Sequence, residues 1–502
     1  MNKTRPKEST MTMLKYTAVS LEKTKVEMLA VPVCENGPVH DDPLVLKLIE
    51  SATALDEFSG ESKQQVILYN PQGTRVSRCV CMGLGAQEKV TPETLRGFAG
   101  RAVKAAMQAK RDRLVIAVPL KGSFGFEPAT AVQAILEGTL LANHVFDRYK
   151  KNPRETPLKE IALRMAPDVS KSLSGLIPAA HVICQGTLQA REWINTPSND
   201  KVPTQLGDMM TRAAQKTGLR ITRLTEAQLR QKKFGALLAV AAGSSHPPCL
   251  LEMAYAPKGA RKTIVLVGKG VTFDTGGISL KQSSGMEAMK GDMSGAAAVA
   301  ATLIAVSRLK PKHRVVGIMP MVENMPSGSA TRPGDIVTSF SGKTVEIGNT
   351  DAEGRLILID AMAYAVKKYK PDIMIDLATL TGACVVALGE RLAGVFSNDE
   401  ELSRAVVASG QSVHERCWAM PLPEDYKELL KSDYADISNM PKTRYGGAIS
   451  AALFLSDFVG DTRWAHIDIA GPAFAKKGND YCGPGGSGFG VRLLCDLIGK
   501  LF

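Results

Sequence analysis

Asn349-Thr350-Asp351-Ala352-Glu353-Gly354-Arg355-Leu356 places two carboxylates and a guanidinium close together, separated by the smallest side chains available. An apolar run from Leu356 to Tyr364 follows at once. Asp351 and Glu353 are spaced i, i+2. In an extended or turning backbone both point the same way, as two ligands of one centre must, whereas in a helix they would diverge. Gly354 permits a tight turn or close approach of the backbone to another group. The same acids also read as a solvated turn ahead of the next helix, where the helix dipole favours negative charge.

Working outward, Thr263–Gly268 is β-branched and apolar throughout, the mark of a strand buried on both faces. After it come Lys269-Gly270-Val271-Thr272-Phe273-Asp274-Thr275-Gly276-Gly277, then Lys281. Met289-Lys290-Gly291-Asp292-Met293 leads into a helix of small residues, Met293–Leu309. Val315–Met321, Ile373–Leu377 and Trp464–Ile469 read as further strands, and Thr204–Lys216, Glu226–Phe234 and Leu356–Tyr369 as helices. Ligands in open α/β sheets collect beyond the carboxyl ends of strands. Asp274, Asp292, Asp351 and Glu353 thus give four carboxylates that can all face one cleft. Clustered carboxylates repel one another unless cations neutralise them, so bound divalent metal is the simplest resolution. An oxygen-rich set without His suits Mg²⁺, Mn²⁺ or Zn²⁺. Lys269 is either an ion-pair partner or a neutral amine ligand, and spacing does not choose. Gly268-Lys269-Gly270 lacks the remainder of a P-loop. Taken singly, Lys290 reads as a surface lysine, His466 as a core histidine, and Met286, Met289 and Met293 as core.

At 502 residues the chain accommodates two to four domains. Its 44% hydrophobic and 22% charged content is that of an ordinary globular protein. No stretch reads as the run of ~20 apolar residues that a membrane span requires, and Met1–Thr12 does not read as a secretory signal. Nine scattered cysteines, an odd number, read as reduced thiols of a cytoplasmic protein. The net charge of +12 is spread along the chain. Its one cluster, Arg101, Lys104, Lys110, Arg111 and Arg113, reads as a solvated helix face ahead of a nucleic-acid patch. Before residue 175, strands at Lys25–Val33, Val66–Tyr69, Cys79–Leu84 and Arg113–Pro119 alternate with helices after Thr91-Pro92-Glu93 and at Ala129–Tyr149, an α/β pattern. The expected organisation is a disordered tip at 1–14, an α/β domain at 15–172, a connecting helix at 173–195 and a second domain at 196–502.

Three segments together resemble the signatures of the leucyl aminopeptidase (cytosol aminopeptidase, M17) family: Lys269-Gly270-x-Thr272-Phe273-Asp274-x-Gly276-Gly277, Met289-Lys290-x-Asp292-Met293 and the octapeptide 349–356. Asn195–Asn199, Thr379-Leu380-Thr381-Gly382-Ala383 and Trp464–Gly471 match in support. The resemblance is strong over roughly 180–502. It implies an N-terminal macro-like α/β domain and a C-terminal α/β di-metal peptidase domain on a mixed central sheet. By resemblance, Lys269, Asp274, Asp292 and Glu353 hold one metal. Asp274, Asp351 (side chain and carbonyl) and Glu353 hold a second, Mn²⁺ or Zn²⁺ in each case. Lys281 and Arg355 match the catalytic positions, Lys281 facing the scissile carbonyl and Arg355 holding a bicarbonate. Met289, Thr379, Leu380, Gly382 and Ala451 match the substrate pocket. The family implies a cytoplasmic homohexamer that releases N-terminal, leucine-like residues from peptides. A two-metal phosphoesterase and an additional DNA-binding role are the other readings weighed; no membrane partner is expected.

Overall fold

The computed structural model describes residues 12–119, 124–152 and 155–501. The chain divides into two units, the first running to Cys184 and taking back Lys477–Gly483, the second holding Gln185–Lys476 and the chain from Pro484. This division falls inside a helix, and the returning segment interrupts the continuous 196–502 expected from the sequence.

The first unit contains, in chain order, β1 (Met13–Thr17), β2 (Leu29–Cys34), α1 (Pro43–Thr53), β3 (Gln65–Tyr69), β4 (Arg78–Gly85), α2 (Pro92–Gln108), β5 (Arg113–Ala117), α3 (Pro128–Ala142), β6 (Glu160–Arg164) and α4 (Pro167–Ser172). The sheet order is β1-β6-β5-β2-β4-β3, parallel except for β3 against β4. Residues 1–11 of the expected tip lie outside the described residues, whereas Met13 and Leu14 already pair with Glu160 and Ile161. α2 begins at Thr91, whose hydroxyl accepts from the Thr94 amide while Thr94 returns the bond, with Pro92 in the first turn. α3 stops at Ala142 and does not continue to Tyr149. The Asn143 side chain bonds the Leu158 N–H (2.7 Å) and C=O (3.0 Å), offering the backbone an alternative to another helical turn. The basic cluster is solvated only in part: Lys110 and Arg113 are exposed, whereas Arg101 and Lys104 have partners. Arg101 pairs with Asp480 at 2.9 Å and Lys104 donates to Asn479 O at 2.5 Å. The approach requires Gly100, where a Cβ would lie 2.5 Å from Asp480 O.

The second unit follows from α5 (Leu176–Asn195), within which the division lies. Its elements are α6 (Pro203–Ala214), β7 (Arg220–Leu224), α7 (Glu226–Gln231), α8 (Gly235–Ala241), β8 (Cys249–Tyr255), β9 (Thr263–Gly268), β10 (Gly270–Asp274), α9 (Ser294–Leu309), β11 (Arg314–Asn324), β12 (Ile336–Thr338), β13 (Thr344–Glu346), α10 (Glu353–Tyr369), β14 (Ile373–Ala378), α11 (Gly382–Leu388), β15 (Ala393–Ser397), α12 (Glu400–Ser412), β16 (Cys417–Ala419), β17 (Ile437–Ser438), α13 (Gly447–Ser456), β18 (Arg463–Asp468) and α14 (Val491–Lys500). The large mixed sheet runs β16-β15-β18-β14-β9-β11-β8-β7. Its middle strands, β18, β14, β9 and β11, are mutually parallel, so their carboxyl ends open on one side. β8 and β15 flank them antiparallel.

Three details depart from the sequence reading. The helix expected at Glu226–Phe234 breaks after Gln231, where Lys233 turns left-handed (φ 64) before α8 begins. The stretch after β9, assigned no element from the sequence, includes a second strand: past Lys269, β10 pairs in parallel with the far end of β11 (Gly270↔Met321). The segment Met286–Leu309 is long and apolar enough to cross a membrane by composition, but it is mostly buried within the protein, as a core helix is. Small residues are what seat α9: a Cβ on Gly295 would lie 2.1 Å from Leu377 O, and one on Gly268 2.5 Å from Gly295 O. That contact carries Asp292, just ahead of α9, to the end of β9.

Candidate metal centre

Each acidic residue of interest stands where a strand ends or a helix begins. Asp274 closes β10, Asp292 precedes α9, and Asp351 lies in the turn before α10. Glu353 is the first residue of α10, three positions earlier than the sequence reading began that helix. The capping alternative for these acids does not hold: Ala352 occupies the N-cap and no side chain caps the helix. Even with Glu353 already helical, one carboxylate oxygen from each of Asp274, Asp351 and Glu353 lies within 4.8 Å of the others.

Two lysines thread this cluster. Lys269, at the junction of β9 and β10, lies 2.8 Å from Asp292 Oδ1, 2.8 Å from Glu353 Oε1 and 2.8 Å from the Thr379 carbonyl. Gly354 makes room for it, since a Cβ there would lie 2.6 Å from Lys269 Cε. Lys281 contacts Asp274 Oδ2 at 2.8 Å and also Asp351 Oδ1. Burial alone would lower both amines, but the charges of Asp292, Glu353 and Asp274 for Lys269, and of Asp274 and Glu353 for Lys281, hold both well above the usual lysine range. Each is an ammonium here; acting as an amine ligand would require the Lys269 proton to leave as metal binds.

The cluster is scaffolded by Asn324, which the sequence reading did not single out, and by Thr350, Gly276, Gly277 and Thr379, to which it gave no such role. Asn324, at the end of β11, donates to Asp274 Oδ1 (2.8 Å) and to the Thr350 carbonyl (3.0 Å). Its signal was a polar residue closing a buried apolar strand. The Thr350 hydroxyl donates to Gly276 O at 2.6 Å and accepts from the Ser279 amide at 2.9 Å, tying the Lys281 loop to the octapeptide. Gly276 and Gly277 supply the positive φ (88° and 65°) that this loop requires. Thr379, expected at the substrate pocket, bonds Asp292 Oδ1 through its hydroxyl at 2.6 Å. Met289 and Leu380 are half-buried, Gly382 is exposed at the start of α11, and Ala451 is buried in α13, which packs on α11.

Arg355 is buried and forms no ion pair among the described residues. Its Nη1 donates to Asn439 O at 2.7 Å, and its Nε has no hydrogen-bond partner. Burial pulls it down to about 10, opposed by the charges of Glu353 and Asp468. His466 is the buried core residue expected, its Nδ1 2.7 Å from Asp376. Lys290 is half-buried, with its ammonium over the Phe474 ring.

The donor set fits a divalent ion. Asp292 Oδ2 is buried with no hydrogen-bond partner, and Glu353 Oε1 touches Lys269 without accepting a well-directed hydrogen bond. Burial, then the Asp274 charge, push the Glu353 carboxyl up to about 8; burial raises Asp292 to about 6. Unfolded, Glu353 titrates near 4.5, so its proton stabilises the metal-free fold at low pH. That contribution is lost as pH rises from 4.5 toward about 8. Melting curves of chelator-treated protein should therefore fall in Tm across that window, with added divalent metal raising Tm most at its upper end. A flat metal-free profile contradicts this account.

Comparison with known proteins gives one result throughout. Residues 188–495 match the cytosol aminopeptidase family catalytic domain, and residues 33–153 match the N-terminal domain of the same family. A probable cytosol aminopeptidase of Chlorobium limicola is 41% identical, covering 97% of this chain and 99% of the relative. One from Syntrophotalea carbinolica is 44% identical over 88% of this chain and 89% of its own length. Among solved structures, a point mutant of tomato leucine aminopeptidase superposes with a TM-score of 0.88 at 31% identity, covering 99% of this chain and 98% of that one. The bottromycin maturation enzyme BotP in complex with Mn gives a TM-score of 0.84 at 33% identity, covering 94% and 99%.

Proposed function

The chain belongs to the cytosol aminopeptidase family, a premise that makes it a metal-dependent aminopeptidase, and we propose that it removes leucine-like N-terminal residues from peptides at the carboxylate cluster. The observation that carries this reading is the convergence of Asp274, Asp351 and Glu353 oxygens within 4.8 Å, beside the unpartnered Asp292 Oδ2. Lys269, Asp274, Asp292 and Glu353 would hold one divalent ion, and Asp274, Asp351 and Glu353 a second. Mn²⁺ or Zn²⁺ suits these donors. When bound, such a pair supplies an activated water and an anchor for the free α-amine, which restricts cleavage to the first peptide bond.

The protein's own groups do the rest. Lys281, held as an ammonium and partly exposed, polarises the scissile carbonyl and stabilises the oxyanion that forms from it. Arg355 keeps its proton and so is no general base. Its free Nε, in a fork otherwise tied down through Nη1, suits a small planar anion such as bicarbonate, which would accept the proton. Met289, Thr379, Leu380, Gly382 and Ala451 would shape the pocket for the departing side chain. A cytoplasmic homohexamer, as the family resemblance implies, belongs to the same proposal.

The test is hydrolysis of leucyl-p-nitroanilide and of p-nitrophenyl phosphate by the same preparation, with and without chelator. Metal-dependent amide cleavage without phosphoester cleavage is expected; the reverse selects a two-metal phosphoesterase. For Arg355→Ala, kcat should fall about 10²-fold, the lower end of what a positioned proton acceptor contributes. Added bicarbonate should restore part of it. Unchanged turnover in bicarbonate-free buffer contradicts the anion role.

A further inference from the structure

We propose that Asn439 is the positioning residue that fixes the Gly348–Ala352 loop and the Arg355 guanidinium at the start of α10 against the metal-binding carboxylates. The inference rests on the aminopeptidase reading and extends it to a residue far outside the octapeptide.

Asn439 is fully buried directly after β17. Its N–H donates to Glu346 O at 2.9 Å, continuing the parallel pairing of β17 with β13. From that anchor its side chain reaches both sides of the loop. Oδ1 accepts from the Gly348 amide at 2.8 Å and the Asn349 amide at 3.4 Å. Nδ2 donates to Asn349 O at 2.9 Å and reaches Ala352 O at 3.5 Å. Its own carbonyl takes the Arg355 Nη1 bond at 2.7 Å. One residue thus touches the loop before Asp351, between Asp351 and Glu353, and at Arg355.

That grip matters because α10 has no side-chain cap of its own: Ala352 stands at the N-cap. The loop's orientation is otherwise held by Thr350 on one side and by the Asp351 amide bonding Asn349 Oδ1 within the loop. Removing the Asn439 amide takes its bonds away from the part-buried Gly348 N–H and Asn349 C=O, which unties the loop from the end of β17 and lets it move. Movement shifts Asp351 and Glu353 together relative to Asp274. Partners of this outer kind change metal affinity or activity by about 10- to 100-fold in other metal sites.

Asn439→Asp is the sharpest probe. It keeps the shape and the acceptor for Gly348 but replaces the donor with an oxygen facing the carbonyls of Asn349 and Ala352. Asn439→Ser, smaller and uncharged, serves if the aspartate prevents folding. Mn²⁺ binding to metal-stripped wild type and variant is measured by calorimetry at a temperature where both are folded, alongside kcat and KM for leucyl-p-nitroanilide. We expect Mn²⁺ affinity and kcat each to fall by about 10- to 100-fold, with KM moving by no more than about threefold. A folded variant that melts earlier but retains wild-type Mn²⁺ affinity and kcat assigns Asn439 a structural role only and overturns the proposal. Wild-type protein that neither binds Mn²⁺ nor cleaves the amide overturns the aminopeptidase reading itself, a distinguishable result.

Discussion

Glu353→Gln should lower kcat/KM for a leucyl amide by at least about 10³-fold, equivalent to about 4 kcal/mol of transition-state stabilisation, while the protein remains folded. Glu353 is buried at the start of α10, with oxygens that reach both Lys269 and the Asp274–Asp351 pair. In the proposed site it is shared by both ions, and glutamine offers one neutral carbonyl where two charged oxygens are needed. The fold should survive because the carboxylate is itself costly there: burial and Asp274 hold its proton on to about 8. The variant should also lose the Glu353 share of the decline in metal-free Tm between 4.5 and about 8, leaving the part due to Asp292 at the lower end. Asp351→Asn should act in the same direction. Steady-state kinetics with circular dichroism check both, and near-normal turnover in either folded variant contradicts the ligand assignment.

Lys281→Ala should reduce kcat by about 10²- to 10³-fold, the range for deleting one oxyanion donor, with a smaller effect on KM. Lys281 sits on the glycine-turned loop between Asp274 and α9, its side chain about a quarter exposed at 23%, so its loss leaves no large cavity. It does leave Asp274 and Asp351 facing each other without their cation. Metal affinity of the variant should therefore hold or rise while catalysis falls. A parallel loss of metal binding would instead make Lys281 part of the ion's support.

These residues were legible because each stands beside a strong local signal. A β-branched strand ends at Lys269, a helix of small residues follows Asp292, and an apolar helix follows the octapeptide. Residue type, order and proximity to strand ends sufficed to gather them. What escaped notice depends on distant partners. β10 exists because β11 runs past the end of β9 and offers it a second parallel partner; its own sequence reads equally well as a glycine-bounded loop. Asn439 reaches Arg355 across 84 positions from a two-residue strand with no periodicity. Arg101 and Lys104 looked solvated because their partners, Asp480 and Asn479, return to the first unit from near the far end of the chain. The helix start at Glu353 was misjudged because the spacing of the two acids favoured an extended backbone. The N-terminus of α10 brings them together by a different route, with Ala352 turning the chain between them.

The central claim is that Lys269, Asp274, Asp292, Asp351 and Glu353 form one site for two divalent ions. The direct measurement is metal content per chain, by elemental analysis after dialysis against Mn²⁺, in wild type and in Glu353→Gln. The account predicts two ions per wild-type chain, activity rising with their occupancy, and loss of tight metal from the folded variant. Full leucyl-amide hydrolysis by wild type holding no metal, or unchanged metal content in Glu353→Gln, would contradict it.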